Sequence, residues 1–366
     1  MSEFSTTDHA MMARALRLAE RGLFTTQPNP RVGCVMARGE EIIGEGWHQR
    51  AGEPHAEVFA LRAAGERARG ATAYVTLEPC SHHGRTPPCA DALVEAGIAR
   101  VVFASEDPNP KVAGAGIRRL REAGIAVEAG LMRDAARELN RGFFSRFERG
   151  RPWVRVKLAM SLDGRTALAN GESKWITGES ARADVQRWRA RSSAILTGAG
   201  TARADDPRLT VRLSDGTAFV APLRVILDAR LDALALHANL LDGSSPTLVL
   251  HAPGADVQDG RHAGVELAEV PLAAHERGLD PDAVLRLLAA RGINELQVEA
   301  GPTLCGALLA ADLVDELLLY VAPILLGDSA RPLLALSPLQ SMADRRDWRV
   351  VDRRMLGQDQ RILLRL

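Results

Sequence analysis

Apolar residues recur along this chain with two alternating periods. Met12, Ala15, Leu16 and Ala19 keep the spacing of one helix face, in a segment that opens at Asp8, available as its N-cap, and stops at Gly22. Two short strands follow around a turn at Gly39, then a helix from about Ala56, a strand from Ala73 to Leu77, a helix from Cys89, a strand from Val101 to Ala104 and a helix near Ala115. This alternation predicts a layered α/β domain with helices on a mixed sheet.

Around Gly150 and Pro152 a charged helix end gives way to a new strand, Trp153 to Met160, and the pattern begins again. Helices are expected over Ala181 to Arg191, Pro281 to Arg291 and Thr303 to Ala311. Strands are expected over Ala194 to Thr197, Leu223 to Leu227, Thr247 to Leu250 and Glu295 to Val298. The closing stretches, Glu316 to Ala322, Trp348 to Met355 and Arg361 to Leu366, read as strands with no helix between the last two. That ending predicts an antiparallel edge on an otherwise parallel sheet. Segment 213–223 reads as a loop, and neither an internal repeat nor a low-complexity tract is present.

Length and charge narrow the classes. A chain of 366 residues suits two domains, each able to bury its own core. Its 46 basic and 46 acidic side chains cancel, so no long-range field recruits nucleic acid or a membrane surface. The longest apolar run, Leu317 to Leu326, falls well short of the roughly 20 residues that span a bilayer. Four cysteines are too few for a disulfide scaffold, and no charged-then-apolar leader opens the chain at Met1; a reduced, cytoplasmic protein is expected.

The chemistry concentrates between His55 and Cys89, where His55, Glu57, Cys80, His82, His83 and Cys89 can all meet a metal. A catalytic zinc takes three protein ligands and leaves the fourth position open to water. Glu57 stands two residues after His55 at the start of a helix, where its carboxylate suits a proton shuttle rather than a ligand. Cys89 opens a helix, whose dipole favours a thiolate. Other readings stay open at this level: a Cys80–Cys89 disulfide, buried thiols, or a closed structural zinc with His82 or His83 as fourth ligand. Cys34 and Cys305 read as core thiols, and His9, His237, His251, His262 and His275 as surface residues.

Zinc-dependent deaminases carry H-x-E followed by P-C-x-x-C, the glutamate acting as general acid and base. Here the halves are HAE and Pro79-Cys80, with Cys89 displaced by the insertion SHHGRTPP. Together with PNPRVGCV, GWHQRAGEPHAE and EDPNPKVAGAGI, the stretch PCSHHGRTPPC closely resembles the deaminase half of the bifunctional riboflavin-biosynthesis deaminase/reductase family. From Gly150 onward, KLAMSLDGRTA, GESKWITG, TGAGTARADDP, DDPRLTVR and VEAGPTLCGALL resemble the reductase half, in the family's usual order.

The resemblance implies a cytidine-deaminase-like three-layer α/β domain over 1–148, a zinc-dependent pyrimidine deaminase. It implies a dihydrofolate-reductase-like α/β domain over 149–366, an NADPH-dependent reductase. The substrate implied is 2,5-diamino-6-ribosylamino-4-pyrimidinone 5'-phosphate, which loses its 2-amino group as ammonia before its ribosyl group is reduced to ribityl. His55, Cys80 and Cys89 would hold one zinc ion, Glu57 would carry the proton, and Asn29 and His48 would hold the pyrimidine. Asp107, Asn109, Lys111, Arg85, His82 and His83 are further candidates near the ribose phosphate. Ala159, Trp175, Thr201, Asp205, Gly301, Pro302, Thr303, Leu304, Cys305, Gly306 and Ala307 would line the cofactor. Ser173, Arg189, Leu209, Arg212 and Glu299 would meet the substrate, with Lys157 and Asp163 near the hydride transfer and Arg189 and Arg212 as phosphate clamps. From the residues alone, Arg189 also suits a solvated helix face and Trp175 a core position. One departure stands out: VILDAR places Ala229 where many members have serine, so Arg230 is left to meet the adenosine 2'-phosphate.

Two other classes compete. A nucleic-acid base deaminase with an unrelated second domain would need a basic, aromatic-bearing stripe, which is missing. A structural zinc module joined to an NADP-binding regulator would turn over no pyrimidine. A homo-oligomer is compatible with the sequence.

Overall fold

The computed structural model describes residues 4–81, 88–110, 113–235, 237–257, 264–274 and 278–366. His82, His83, Arg85, Lys111, His262 and His275 therefore lie outside the described residues. The chain forms two compact units, Met1–Arg149 and Gly150–Leu366.

The first unit runs α1 (Thr6–Glu20), β1 (Gly33–Arg38), β2 (Glu41–Trp47), α2 (Ala56–Ala64), β3 (Thr72–Val75), α3 (Cys89–Glu95), β4 (Arg100–Phe103), α4 (Ala115–Glu122), β5 (Ala126–Ala129), α5 (Arg133–Leu139) and α6 (Arg141–Arg149). Its sheet has the order β2-β1-β3-β4-β5, antiparallel at β2/β1 and β1/β3 and parallel from β3 to β5. Side chains alternate across the sheet, as strand geometry requires. Cys34, Met36, Val75 and Phe103 pack with Ala60 of α2, Leu93 of α3 and Leu120 of α4, while Val35, Tyr74 and Val102 pack with Met12 and Leu16 of α1 and Ala136 of α5. The result is three layers.

Two details position the site. Gly46 lets α2 lie against β2: a Cβ there would stand 2.3 Å from the Ala56 carbonyl oxygen. Gly116 does the same for α4 and the loop after β3, since its Cβ would stand 1.9 Å from the Pro79 carbonyl oxygen. The N-cap of α1 differs from expectation, because Ser5 takes that place and accepts from the Asp8 N–H, while Asp8 at the third position closes a capping box. The Asp8 carboxylate also accepts from Tyr74 Oη at 2.8 Å and pairs with Arg100 at 2.6 Å, tying α1 to β3 and β4.

The second unit comprises β6 (Trp153–Ser161), β7 (Arg165–Ala167), α7 (Glu179–Arg191), β8 (Ala194–Gly198), α8 (Ala199–Asp205), β9 (Leu223–Leu227), β10 (Thr247–His251), β11 (Glu266–Glu269), α9 (Pro281–Ala290), β12 (Glu295–Val298), α10 (Pro302–Ala310), β13 (Glu316–Ala322), β14 (Arg331–Pro332), β15 (Arg349–Leu356) and β16 (Asp359–Arg365). Nine strands form one sheet in the order β11-β10-β9-β8-β12-β6-β13-β16-β15, and β7 pairs with β14 apart from it. Pairing is parallel from β11 to β13 and antiparallel at β13/β16 and β16/β15, so the antiparallel edge is where the sequence puts it. A buried chain of ion pairs crosses the middle: Arg155 on β6 meets Glu295 of β12 and Glu316 of β13, which in turn accept from Arg191 and Arg365. His251, expected at the surface, is buried at the end of β10, its Nδ1 3.0 Å from the Ala252 carbonyl oxygen.

Candidate active sites

In the first unit the ends of three elements converge. His55 caps α2, Cys80 follows β3 and Cys89 opens α3. Their ligand atoms all lie within 4.8 Å of one another. His55 Nδ1 stands 3.3 Å from Cys89 Sγ and 3.5 Å from Cys80 Sγ. A tetrahedral zinc with ordinary Zn–N and Zn–S bonds needs N···S separations of about 3.5 Å, so one ion fits these three atoms. The thiols share protons. Cys80 accepts from the Cys89 side chain, from His55 and from the Cys89 N–H, which lowers it to about 4 despite burial. Cys89 is raised, first by its bond to Cys80 and then by burial. A soft divalent cation satisfies both sulfurs in place of the shared proton.

Glu57, one residue into α2, is 3 % exposed. Burial, opposed by His55, pushes its carboxyl up to about 7, where it both takes and gives a proton readily. It lines a cavity of about 410 Å³ that also holds His55, Cys80, Asn29, His48, Asp107 and Asn109. Asn29 Nδ2 stands 3.0 Å from His48 Nε2, and His48 Nδ1 stands 3.2 Å from the Pro54 carbonyl oxygen. With the amide donating to Nε2, His48 is neutral and donates from Nδ1, in keeping with the lowering that burial imposes. The Asn29 carbonyl oxygen is then left to accept from a ring amine or amide.

Glu78, Phe143 and Arg146 belong to no motif quoted above, and they surround the candidate Asp107. Glu78 is buried and accepts from the backbone N–H of Asp107, Gly114 and Ile117 at 3.1 to 3.4 Å, fixing the loop that carries Asp107 and Asn109. Burial pushes Asp107 up to about 7, although its carboxylate accepts from the Asn109 N–H at 2.8 Å. Phe143 and Arg146 of α6 form part of the cavity wall.

In the second unit two cavities open at the C-terminal ends of the parallel strands, the usual place for ligands in such sheets. The first is lined by Lys157, Ala159, Ser173, Trp175, Arg189, Thr201, Asp205, Leu209, Arg212, Glu299, Gly301 and Pro302, which gathers most of the expected residues. The second, about 1240 Å³, is lined by Thr303, Leu304 and Ala307 with Gly198, Gly200, Arg203, Ala229 and Arg230. Cys305 and Gly306 line neither: Cys305 is buried and bonds the Ala300 carbonyl oxygen, and a Cβ on Gly306 would meet the Ala335 carbonyl oxygen at 2.1 Å. Asp163 is also outside both cavities, its carboxylate accepting from the N–H groups of Leu326 and Gly327. Trp175 is no core aromatic, being 70 % exposed with Arg182 over its ring.

Arg189 is not on a solvated face either. Its fork is bidentate to Glu299, 2.7 Å at both oxygens, and Nη1 reaches the Thr210 carbonyl oxygen at 2.9 Å. The planar edge expected to clamp a phosphate is therefore turned to a carboxylate, leaving Arg212, bonded at 3.1 Å to Thr210 Oγ1, as the more open cation. Against burial, which raises it, Arg189 holds Glu299 down to about 2. Lys157 is lowered by burial and partly restored by Glu299. Arg230 pairs with Asp232 at 3.1 Å, and Arg203 shares the same carboxylate.

Residues 5–105 match the model of the cytidine and deoxycytidylate deaminase zinc-binding region, and residues 152–359 that of the RibD C-terminal domain. The chain is 50 % identical over 367 residues to riboflavin biosynthesis protein RibD of Escherichia coli (strain K12), covering 96 % of this chain and 97 % of that protein. With the Haemophilus influenzae RibD it shares 48 %, over 98 % and 97 % of the two chains. A solved structure of Acinetobacter baumannii RibD has a TM-score of 0.91 at 47 % identity, covering 98 % of each chain. The Thermotoga maritima diaminohydroxyphosphoribosylaminopyrimidine deaminase/5-amino-6-(5-phosphoribosylamino)uracil reductase has a TM-score of 0.86 at 33 % identity, again over 98 % of each. Likeness of this extent, running through both units, makes the chain a member of the RibD family of riboflavin biosynthesis, bifunctional enzymes that join a zinc-binding deaminase domain to an NADPH-dependent reductase domain.

Proposed function

We propose that 1–148 deaminates 2,5-diamino-6-ribosylamino-4-pyrimidinone 5'-phosphate and that 149–366 reduces the product's ribosyl group to ribityl with NADPH. The observation that carries this reading is the His55, Cys80 and Cys89 cluster at a cavity lined by His55 and Cys80, by buried Glu57 and His48, and by Asn29. His55, Cys80 and Cys89 would hold one zinc ion, which would supply an acidified water as the nucleophile. Glu57 takes a proton at its carboxylate and returns it to the leaving nitrogen, for which a carboxyl near 7 is suited. Asn29 orients the pyrimidine through its carbonyl oxygen, and His48, anchored on the Pro54 carbonyl, fixes the amide that presents it.

In the second unit the N–H groups at the start of α10 and at the β8–α8 junction around Gly198 offer donors to a pyrophosphate. Arg212 takes the substrate phosphate, and Glu299, oriented by Arg189, faces the ribosyl group with Lys157 beside it. Hydride transfer then depends on holding the two ligands in register. The balanced charge supports free metabolites rather than nucleic acid as substrates, and four cysteines suit a reducing cytoplasm.

The test is incubation of the full chain with the diaminopyrimidinone phosphate, with and without NADPH. Ammonia release in both, and loss of NADPH absorbance only after deamination, is the expected result. Release of ammonia without any NADPH oxidation would remove the reductase half of the reading.

A further inference from the structure

Among the described residues that line the first unit's cavity, Arg146 is the sole lysine or arginine. It arrives from α6, outside residues 5–105, which carry the deaminase match, and belongs to no recognised motif. Its guanidinium is held by aromatic faces: the carbon at its centre lies 4.6 Å from the Phe147 ring centroid and 5.6 Å from that of Phe143. Stacking of this kind fixes the plane of the fork while leaving its edges open for donation. Arg146 Nε is buried without a hydrogen-bond partner, and among the described residues no carboxylate stands within ion-pair distance of it. Asp107, on the same cavity wall, is near enough to feel its charge but makes no salt bridge with it.

Arg146 is half-buried, and its buried Nε–H, left without a partner, is costly unless something anionic completes it. In a cavity whose other charged groups are acids, a ligand must bring that anion. We propose that Arg146 is a specificity-determining residue of the deaminase, donating to the 5'-phosphate of the pyrimidine nucleotide and so discriminating it from the unphosphorylated nucleoside. The proposal rests on the deamination reading above. Burial lowers the Arg146 guanidinium from its ordinary value, with Asp107 opposing, which accords with a charge waiting for a stronger counterion. A dianionic phosphate suits the fork better than one carboxylate, since planar N–H pairs match phosphate oxygens bidentately.

The experiment compares the zinc-loaded full chain with Arg146→Ala and Arg146→Lys, following ammonia release from the phosphorylated pyrimidine and from its dephosphorylated counterpart. Arg146→Ala should raise KM for the phosphorylated substrate roughly 10- to 100-fold, as expected for loss of a charge-assisted contact, with kcat little changed. The dephosphorylated substrate should show no such rise, and Arg146→Lys should recover part of the loss. Zinc content and circular dichroism identify any variant that has lost its fold, and Arg146→Lys then carries the comparison. Equal losses on both substrates, or a fall in kcat alone, would assign Arg146 a structural role and overturn the proposal. Calorimetric titration with inorganic phosphate tests it independently of turnover: weaker binding by Arg146→Ala supports it, and unchanged binding overturns it. Should the unaltered chain release ammonia from neither pyrimidine, the deamination reading falls, and that titration alone decides for Arg146.

Discussion

Glu57 owes its behaviour to where the chain buries it. A carboxyl on an exposed first turn stays ionised at neutral pH and makes a poor acid; at 3 % exposure, beside His55, it sits near 7. Replacement by glutamine keeps the shape and removes the titration. We therefore expect Glu57→Gln to slow ammonia release by about 10²- to 10⁴-fold, the range for loss of a general acid and base, while zinc content measured by atomic absorption stays at the unaltered level. Loss of zinc in this variant would make Glu57 a ligand and leave the shuttle without a residue. Residue type and spacing marked out His55, Glu57, Cys80 and Cys89 as candidates but left a disulfide and a closed zinc site open; the family resemblance implied the ligand set, and the structure brings His55, Cys80 and Cys89 together. Arg146 and Glu78 were invisible for the opposite reason: a phosphate contact or a loop anchor can come from any element that folds back, and no spacing announces it.

Element boundaries were read well where burial is uniform and poorly where it is not. Leu223–Leu227, Glu295–Val298 and Glu316–Ala322 were expected at their observed limits, since interior parallel strands are continuous apolar or paired runs bounded by polar turns. Missed were β5 (AVEA) and β11 (ELAE), four-residue edge strands whose burial does not alternate, while α8 (AGTARAD) opens in a glycine cluster that suits a loop or a helix equally. Two substitutions test how elements hold the sites. Gly116→Ala drives α4 against the Pro79 carbonyl, beside Cys80; lower zinc retention against a chelator than in the unaltered chain is the expected outcome, with overpacking costing about 1–3 kcal/mol in urea denaturation. Arg155→Met takes from buried Glu295 and Glu316 the cation they share, and removal of one partner from such a network should destabilise the second unit by roughly 3–5 kcal/mol. A variant as stable as the parent would show that the methionine packs well enough to replace the pairing.

At the scale of the molecule, the described metal ligands lie in one compact unit and the two strand-end cavities in the other, each unit with its own sheet and core. Chemistry divided in this way should be separable. Cys80→Ser removes one of three ligands and should abolish ammonia release, yet leave NADPH oxidation nearly intact when the already deaminated substrate is supplied. Removing zinc with a chelator should reproduce that pattern in the unaltered chain, and adding zinc back should reverse it. Arg212→Ala should do the converse. Loss of a charge-assisted phosphate contact of about 2 kcal/mol lowers kcat/KM for reduction roughly thirtyfold and spares deamination. Arg189→Ala differs from it, because Arg189 spends its fork on Glu299; freeing that carboxylate should reduce kcat as well as raise KM. Steady-state assays of each half-reaction on all three variants supply the comparison. Should Cys80→Ser stop both reactions while circular dichroism still reports a folded chain, the sites depend on one another and the two-site reading fails.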